Sequence, residues 1–436
     1  MTLYFLPLFL LFAYAQFSHP WPRNPGLPEF VTAFMLLLML LFFELIHKKS
    51  SSRACLRLYK ATLILMVVTS VSGLLGIIFN SSDIRGLIRD FLPNLFYLII
   101  PCCVNSLEKL RFKADKLDVY NTIIALLFIF PSFIIAYRAY TESAIDISLL
   151  GSEFFRIGQT FRQYDPFVTF IMAFTPFYLI YSFKNFLFES KIVLKFFYFF
   201  SFTFCIVSFI LCSSTLIAIG QRAPMVYPII GFLVLILTVT KNAQFNKLSP
   251  ILFVTMLVSL ALFLLVAPRL EGFLVSVFEN FETKNYQTGF LDQKFIEFFS
   301  ILSDPLLLFP QGFGSSYSNL AIGGHTLRFT HSAFSYFYLK FGLCGFLVLC
   351  WYMYELNQLS CFSTFLFNSV KSVNLFQIGL FYSFLCTLFS ALALQPTYKT
   401  LGFTLLVSLV LGYVMSCVNY SLYIRSITVN SFFKND

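Results

Sequence analysis

The chain is 436 residues long, and its composition excludes a soluble globular domain. Hydrophobic residues make up 58% of it, aromatic residues 19% and charged residues only 11%, whereas about 25% of the residues in a soluble domain are charged. The formal net charge of +10 would otherwise suggest a nucleic-acid ligand, but Lys and Arg in membrane proteins mainly flank helices on the cytoplasmic side. The composition therefore predicts a polytopic membrane protein and argues against a nucleic-acid partner.

Continuous apolar stretches long enough to cross a hydrocarbon core of ~30 Å recur along the chain. Because backbone polar groups must be satisfied within lipid, these stretches predict α-helices, and their continuity argues against the alternating strands of a β-barrel. We predict an all-α, polytopic transmembrane helical bundle that forms a single integral membrane domain over residues 1–436. About twelve spans are predicted, at 3–18, 28–46, 59–80, 88–104, 119–137, 166–183, 193–218, 224–240, 249–267, 332–353, 374–394 and 401–419.

The first predicted span has a second interpretation as a signal peptide. Ala13 and Ala15 form an A-x-A pattern that is typical of a cleavage site, but no basic region precedes the apolar stretch. We therefore favour a retained span.

The distribution of Lys and Arg among the short connections predicts the orientation of the bundle. Basic residues are concentrated in "HKKSSSRACLRLYK", "EKLRFKADK", "KNFLFESKIVLK" and "KNAQFNK", which alternate along the chain with poorer connections. Positive charge in short loops marks the cytoplasmic side, so both termini are predicted to be cytoplasmic. Two longer segments, 138–165 and 268–331, then fall on the outer side, and we call that end of the bundle the outer end.

The second outer segment contains a predicted amphipathic helix. Residues 291–302 place apolar side chains at i, i+4, i+7, i+8 and i+11, and Asp304-Pro305 ends the pattern. An aromatic face of this kind suits a helix that lies at the membrane surface. The following "FPQGFGSSY" is typical of a turn, with Gly312 and Gly314 supplying backbone freedom.

Arg222 lies in the short outer connection "IAIGQRAPM". Pro224 is typical of the first turn of the following helix, and a cation at a helix N-terminus opposes the helix dipole, so Arg222 does not stabilise its own helix. An arginine beside free N–H donors makes a good anion site, because a guanidinium binds phosphate oxygens bidentately. The alternative is an interfacial arginine in contact with lipid headgroups. We favour the anion site.

Three further arginines lie in or beside the first outer segment. Arg138 is at its edge, Arg156 and Arg162 are within it, and Tyr164 and Asp165 precede the next predicted helix. Any one of these arginines would ordinarily be a solvated side chain. Three of them on the side that is poor in basic residues indicate an anionic ligand outside the membrane.

His331 lies at the start of the tenth predicted span, between Thr330 and Ser332, and either hydroxyl could cap that helix. The N-terminus of a helix disfavours a charged imidazole, so His331 is predicted to be neutral and able to accept a proton from a hydroxyl. The alternative is a histidine whose hydrogen bonds are satisfied by a neighbouring helix. His325 lies in a stretch that is predicted to be flexible and solvated, and Arg328 is the cation between the two histidines.

Lys340 falls well inside the tenth predicted span. A buried charge at that position is costly. We expect either that its ammonium group extends outward to the polar region or that the span begins later than residue 332.

The sequence lacks the motifs of several common chemistries. It contains no Walker loop, no H-E-x-x-H, no C-x-x-C spacing and no serine elbow, so neither a metal nor another cofactor is expected. The cytoplasmic connections are too short to bind a nucleotide-sugar. We infer that the substrate is already linked to a lipid and is presented on the outer leaflet.

Three stretches of the chain resemble the superfamily of bacterial O-antigen polymerases and O-antigen ligases, which are integral membrane glycosyltransferases of the GT-C type. "RIGQTFRQYDPFVTF" is similar to the family's arginine–glycine loop before a span. "FIEFFSILSDPLLLFPQGFGSSY" is similar to its helix, proline and glycine-rich turn, and "THSAFSYFYLKFGLCGFLVL" to its histidine followed by a span. The plan of twelve spans, with a large outer loop between the ninth and the tenth, also resembles the family.

The resemblance implies a place in the bacterial inner membrane and metal-independent glycosyl transfer from a glycan on undecaprenyl pyrophosphate. In that mechanism Arg222, with Arg156 or Arg162, would hold the pyrophosphate and stabilise its growing charge as it leaves. His331 would deprotonate the acceptor hydroxyl. The other candidate substrate-binding residues are Arg138, Tyr164 and Arg328.

The sequence departs from the family in two places. An arginine often leads the family's amphipathic helix, where this chain offers only Lys294, and ligases often carry His-Asn where this chain has His331-Ser332. The second departure favours a polymerase of lipid-linked repeat units over a ligase that transfers the glycan to lipid A–core. The resemblance also allows a chain-length regulator as a partner. The main alternative outside the family is a flippase for lipid-linked sugars, although transporters tend to carry ionisable groups mid-membrane.

Overall fold

This computed structural model describes residues 53–80, 87, 90–91, 94–108, 117–146, 165–218, 223–241, 290–302, 309–319, 325–327, 330, 332–368, 375–394 and 396–415. Within these residues the fold is helical apart from one short two-stranded hairpin, so the predicted all-α class is confirmed. The predicted spans 3–18, 28–46 and 249–267 lie outside the described residues.

The described elements are ten helices, one hairpin and three short turns. The helices are α1 Arg53–Asn80, α2 Ile99–Glu108, α3 Leu117–Asp146, α4 Pro166–Phe188, α5 Ile192–Ala218, α6 Ala223–Lys241, α7 Phe290–Leu302, α8 Ala333–Asn368, α9 Leu375–Phe389 and α10 Leu401–Met415. The hairpin strands are β1 Tyr317–Asn319 and β2 His325–Leu327. A 3-10 turn, Phe96–Leu98, precedes α2, and a π turn, Ser390–Leu394, and a 3-10 turn, Pro396–Lys399, follow α9.

Six helices are long and apolar enough to cross a membrane. They are Leu56–Phe79, Leu117–Tyr137, Pro166–Phe188, Ile192–Leu216, Ala333–Leu356 and Leu375–Leu392. Three shorter apolar helices, Phe96–Asn105, Pro224–Leu237 and Leu401–Met415, coincide with three more of the predicted spans. The protein is therefore a multi-pass α-helical membrane protein, and the total of about twelve spans stays a prediction.

Helix α4 lies at the centre of the bundle. Every residue from Pro166 to Ser182 is buried, and α4 packs against α3, α5, α6 and α9, as a helix that is apolar on all sides should. The Asp165 carboxylate caps it by accepting from the N–H groups of Phe167 at 2.8 Å and Val168 at 3.4 Å, and a proline occupies its first turn. The helix therefore begins where the sequence predicts.

Helices α1 and α8 form a second packed pair. Arg57, near the start of α1, forms an ion pair with Glu355, far along α8: its Nη2 donates to Oε1 at 2.9 Å, and Nε lies 2.6 Å from Oε2. The hydroxyls of Thr62 and Tyr352 are 3.3 Å apart. From the first contact to the second, the residue number rises in α1 and falls in α8. The two helices are therefore antiparallel.

Helix α3 is longer than its predicted span. It continues to Asp146, so the first outer segment, predicted as 138–165, starts with the last turns of a helix. The backbone of Arg138 is helical as a result.

Helix α7 lies where the sequence predicts a helix in the second outer segment. It ends at Leu302, just before the predicted stop at Asp304-Pro305. The side chains of Phe299 and Leu302 are exposed, whereas Ile301 and Glu297 are buried. Phe299 and Leu302, two residues of the predicted apolar face, therefore point away from the bundle.

Candidate functional site

The predicted catalytic and substrate-binding residues lie outside the described part of the chain, apart from the backbone of Arg138. They are Arg156, Arg162, Tyr164, Arg222, Arg328 and His331. The described residues that flank them in the chain still define where the neighbouring helices begin.

Contacts place the starts of α6 and α8 at the same end of the bundle. The hydroxyl of Tyr227, near the start of α6, bonds the hydroxyl of Ser390 at the end of α9. A few residues further on, the ring of Tyr398 packs on Tyr336 near the start of α8, with ring centroids 5.6 Å apart. In the sequence the two predicted catalytic residues come shortly before α6 and α8, so both precede helices that begin at the same end of the bundle.

Helix α8 is interrupted at Gly342, which has φ 65° and ψ −168°. Only glycine adopts a φ of this sign at little cost. In an unbroken helix the carbonyl of Lys340 would accept from the N–H four residues ahead. Here two outside donors reach that carbonyl, the N–H of Gly312 at 3.1 Å and the hydroxyl of Ser72 at 2.6 Å. The break therefore joins α8 to α1 and to the turn at residues 312–315, which we call the glycine turn.

Lys340 and Asp90 form a buried ion pair beside this break. Their Nζ and Oδ2 atoms are 2.8 Å apart, and the exposed fractions of the two side chains are 0% and 3%. The Lys340 Nζ also donates to the carbonyl of Ser315 at 2.6 Å, and the N–H of Gly314 donates to Oδ2 of Asp90 at 3.0 Å. Desolvation of two charges is offset only when such hydrogen bonds accompany the pair.

Both expectations for Lys340 are therefore wrong. Helix α8 begins at Ala333, close to the predicted start of the span, and the side chain of Lys340 is buried instead of extending outward. The physical reason is that a carboxylate and a carbonyl meet the ammonium group inside the bundle, which removes the need to reach water.

The main chain of Asp90 is held as well as its side chain. Its carbonyl accepts from the hydroxyl of Tyr336 at 3.1 Å and from the side-chain amide of Asn94 at 2.7 Å. Tyr336 and Lys340 are one helical turn apart, so they share a face of α8. Tyr336 and Lys340 of α8 thus both bind Asp90, one at its main chain and the other at its carboxylate.

The glycine turn lies directly on α1. The N–H of Phe313 donates to the carbonyl of Ser72 at 3.1 Å, and the Phe313 ring meets Phe341 edge-on at 5.4 Å. A Cβ atom on Gly312, which has φ 78°, would lie 2.3 Å from the backbone nitrogen of Gly76. The predicted turn is confirmed, and its first glycine is required by a close approach of two backbones.

The turn leads into the β1–β2 hairpin, where Tyr317 pairs with Leu327 and Asn319 with His325. The stretch around His325 was predicted to be flexible, and this is wrong for residues 325–327, which form β2. The pairing of three residues on each strand is too short to leave a periodic pattern in the sequence.

Ser332 is the residue that caps α8. Its hydroxyl accepts from the N–H of Ser335 at 3.1 Å, while the buried Thr330 donates to the carbonyl of Ser332 at 3.1 Å. The ring of Tyr398 is fully buried beside this segment, and loss of solvation raises the pKa of its phenol well above the ordinary value. The phenol therefore stays protonated.

Asp90 is the residue that the sequence analysis missed. It lies in "SSDIRGLIRDFLPNLF", at the start of the predicted span 88–104. A carboxylate in one span and an ammonium group in another, both near the outer end, are a usable signal for a buried pair. Ser72 and Ser315 gave no such signal, because a hydroxyl or a main-chain carbonyl can serve almost any partner.

The described residues define a class of protein: a multi-pass α-helical membrane protein with a buried polar cluster near the end of the bundle where α8 begins. No group of three or more His, Cys, Asp or Glu among the described residues lies close enough together to hold a metal ion. No protein-family model, curated protein or solved structure matches the chain.

Proposed function

We propose that the protein is a glycosyltransferase of the bacterial inner membrane that joins lipid-linked oligosaccharide repeat units into a surface polysaccharide such as O-antigen. The donor is a glycan on undecaprenyl pyrophosphate, and the acceptor is the terminal sugar of the next lipid-linked unit. The reaction takes place at the outer end of the bundle, without a metal.

The observation that carries this proposal is the polar cluster at the outer end. A bundle whose composition is dominated by apolar residues uses a buried ion pair and a broken helix to hold a glycine turn against α8, the helix that follows position 331 in the chain. Such order in a loop is typical of a site that must present a side chain accurately. The three stretches that resemble the O-antigen polymerase and ligase superfamily supply the chemistry.

In the proposed reaction His331 takes the proton of the acceptor hydroxyl. The oxygen then attacks the anomeric carbon of the donor, and the bond from that carbon to the pyrophosphate breaks. Arg222, with Arg156 or Arg162, binds the pyrophosphate and stabilises the negative charge that grows on it. Undecaprenyl pyrophosphate is the leaving group. The acceptor repeat unit now carries the glycan that was transferred from the donor. The remaining residues proposed to contact substrate are Arg138, Tyr164 and Arg328.

Deletion of the gene in its host, followed by gel analysis of the surface polysaccharide, tests this function. We expect a single repeat unit on lipid A–core, with long chains restored by the wild-type gene and not by Arg222→Ala or His331→Ala at matched expression. Near wild-type chains from both variants would show that the roles are wrongly assigned.

The same gel separates the alternatives. Loss of all surface glycan, with long chains on the lipid carrier, would identify a ligase. Undecaprenyl-linked single repeats trapped on the cytoplasmic side would identify a flippase and would contradict glycosyl transfer.

A further inference from the structure

The outer segment from the glycine turn to α8 closes on itself at one residue. The chain leaves Gly312, whose N–H donates to the carbonyl of Lys340 at 3.1 Å, and passes through the β1–β2 hairpin and position 331. It then enters α8 and arrives at Lys340 itself. A hydrogen bond between Gly312 and Lys340 thus joins the two ends of the segment.

The side chain of Lys340 closes the same ring a second time. Its Nζ donates to the carbonyl of Ser315 at 2.6 Å, on the far side of the turn from Gly312. Its counter-ion Asp90 accepts from the N–H of Gly314 at 3.0 Å. The turn is therefore held at each end by Lys340 and in the middle by Asp90.

Three consecutive amides of the turn are engaged. Those of Gly312, Phe313 and Gly314 donate to the Lys340 carbonyl, the Ser72 carbonyl and the Asp90 carboxylate, respectively. Bonds to charged groups are the stronger ones, and both charges here are removed from water. The geometry leaves the turn little freedom to shift relative to α1 and α8.

Stability alone does not explain a pair of this kind. Replacement of a buried ion pair by apolar groups of similar volume is often neutral or stabilising. Arg57 of α1 and Glu355 of α8 form a second ion pair, which joins two helices to each other and not to a turn. The two pairs differ in what they hold, and this difference is open to test.

We propose that Lys340 and Asp90 are positioning residues: together they clamp the glycine turn against α8, the helix that His331 precedes in the sequence, so that His331 meets the acceptor hydroxyl. This inference rests on the proposed function for its catalytic part. It does not rest on it for the clamp, which is a property of the turn and can be measured separately.

The test compares two double variants in membranes at matched expression. Lys340→Met combined with Asp90→Asn removes both charges of the clamp. The double variant therefore leaves no unpaired buried charge. Arg57→Met with Glu355→Gln does the same to the control pair. Amide hydrogen exchange over residues 309–319 reports the clamp, and transfer between undecaprenyl-pyrophosphate-linked repeat units, isolated from the deletion host, reports the reaction.

We expect the clamp variant to exchange the amides of the glycine turn about tenfold faster, because a charge-assisted bond is lost. Its kcat for transfer should fall about 10²-fold with KM little changed, because the substrate still binds while the base is displaced. The control variant should change neither quantity. Lys340→Arg, which keeps donors for both the carboxylate and the carbonyl, should recover part of the lost kcat.

Each other outcome contradicts a stated part. Unchanged exchange in the clamp variant would show that the pair does not hold the turn. Faster exchange with unchanged kcat would show that the turn does not position the catalytic segment. Absence of transfer by the wild-type protein would refute the proposed function, and the exchange measurement would still decide whether the clamp exists.

Discussion

The close approach of α1 to the glycine turn predicts opposite effects for two alanine substitutions one turn apart. A Cβ atom on Gly76 would lie 2.6 Å from the carbonyl oxygen and 2.8 Å from the nitrogen of Phe313. These are main-chain atoms, which cannot rotate away. A Cβ atom on Gly73 would meet only the rings of Phe91 and Phe313, at 3.7 and 3.8 Å, which is ordinary van der Waals contact.

The magnitudes follow from three contributions. Alanine is favoured over glycine inside a helix by about 1 kcal/mol, overpacking costs about 1–3 kcal/mol, and loss of the hydrogen bond between Phe313 and Ser72 costs about 1 kcal/mol. Gly73→Ala should therefore raise the free energy of unfolding by up to about 1 kcal/mol. Gly76→Ala should lower it by about 1–3 kcal/mol.

Reversible unfolding by SDS in mixed micelles measures both variants under one condition. The two substitutions have the same chemistry and lie in the same helix, so each is the control for the other. A Gly76→Ala protein as stable as Gly73→Ala would refute the reasoning, because it would mean that the turn does not lie against α1.

Two further sets of contacts, both distant from the glycine turn, are tested by the same titration. Arg57→Ala should lower the free energy of unfolding by about 1–3 kcal/mol, because it leaves the buried Glu355 carboxylate unpaired. Glu355→Gln should lower it by less than about 1 kcal/mol, because Arg57 is 59% exposed and can turn to water; equal losses would contradict this. Tyr413→Phe should cost about 1–2 kcal/mol, because its hydroxyl donates to Asn121 at 2.6 Å and Asn121 donates to Tyr181 at 2.9 Å. An unchanged midpoint would show that this buried network contributes nothing.

The parts of the fold that depend on local pattern could be predicted from the sequence. The apolar stretches, the start of α4 at Pro166, the helix that stops before Asp304 and the turn at Gly312 all have a chemical cause within a few residues. Proline, capping carboxylates and glycine act on their own neighbourhood. Such features need no knowledge of distant parts of the chain.

The parts of the fold that depend on contacts between distant residues could not be predicted from the sequence. Lys340 was read as a costly charge in a span because its partner Asp90 is far away in the sequence. The interruption of α8 at Gly342 was also missed, because a glycine within an apolar helix has many meanings until a donor such as Gly312 is known to face the freed carbonyl. For the candidate site, the sequence predicted a cap before α8, which Ser332 supplies, and the predicted catalytic roles stay predictions.

The most direct measurement of the central claim is transfer by the purified protein in proteoliposomes that contain only undecaprenyl-pyrophosphate-linked repeat units. Glycosyl transfer by this chain predicts a ladder of lengthened glycans without added nucleotide-sugar, lost in His331→Ala. Movement of the lipid-linked unit across the bilayer with no ladder would contradict the account.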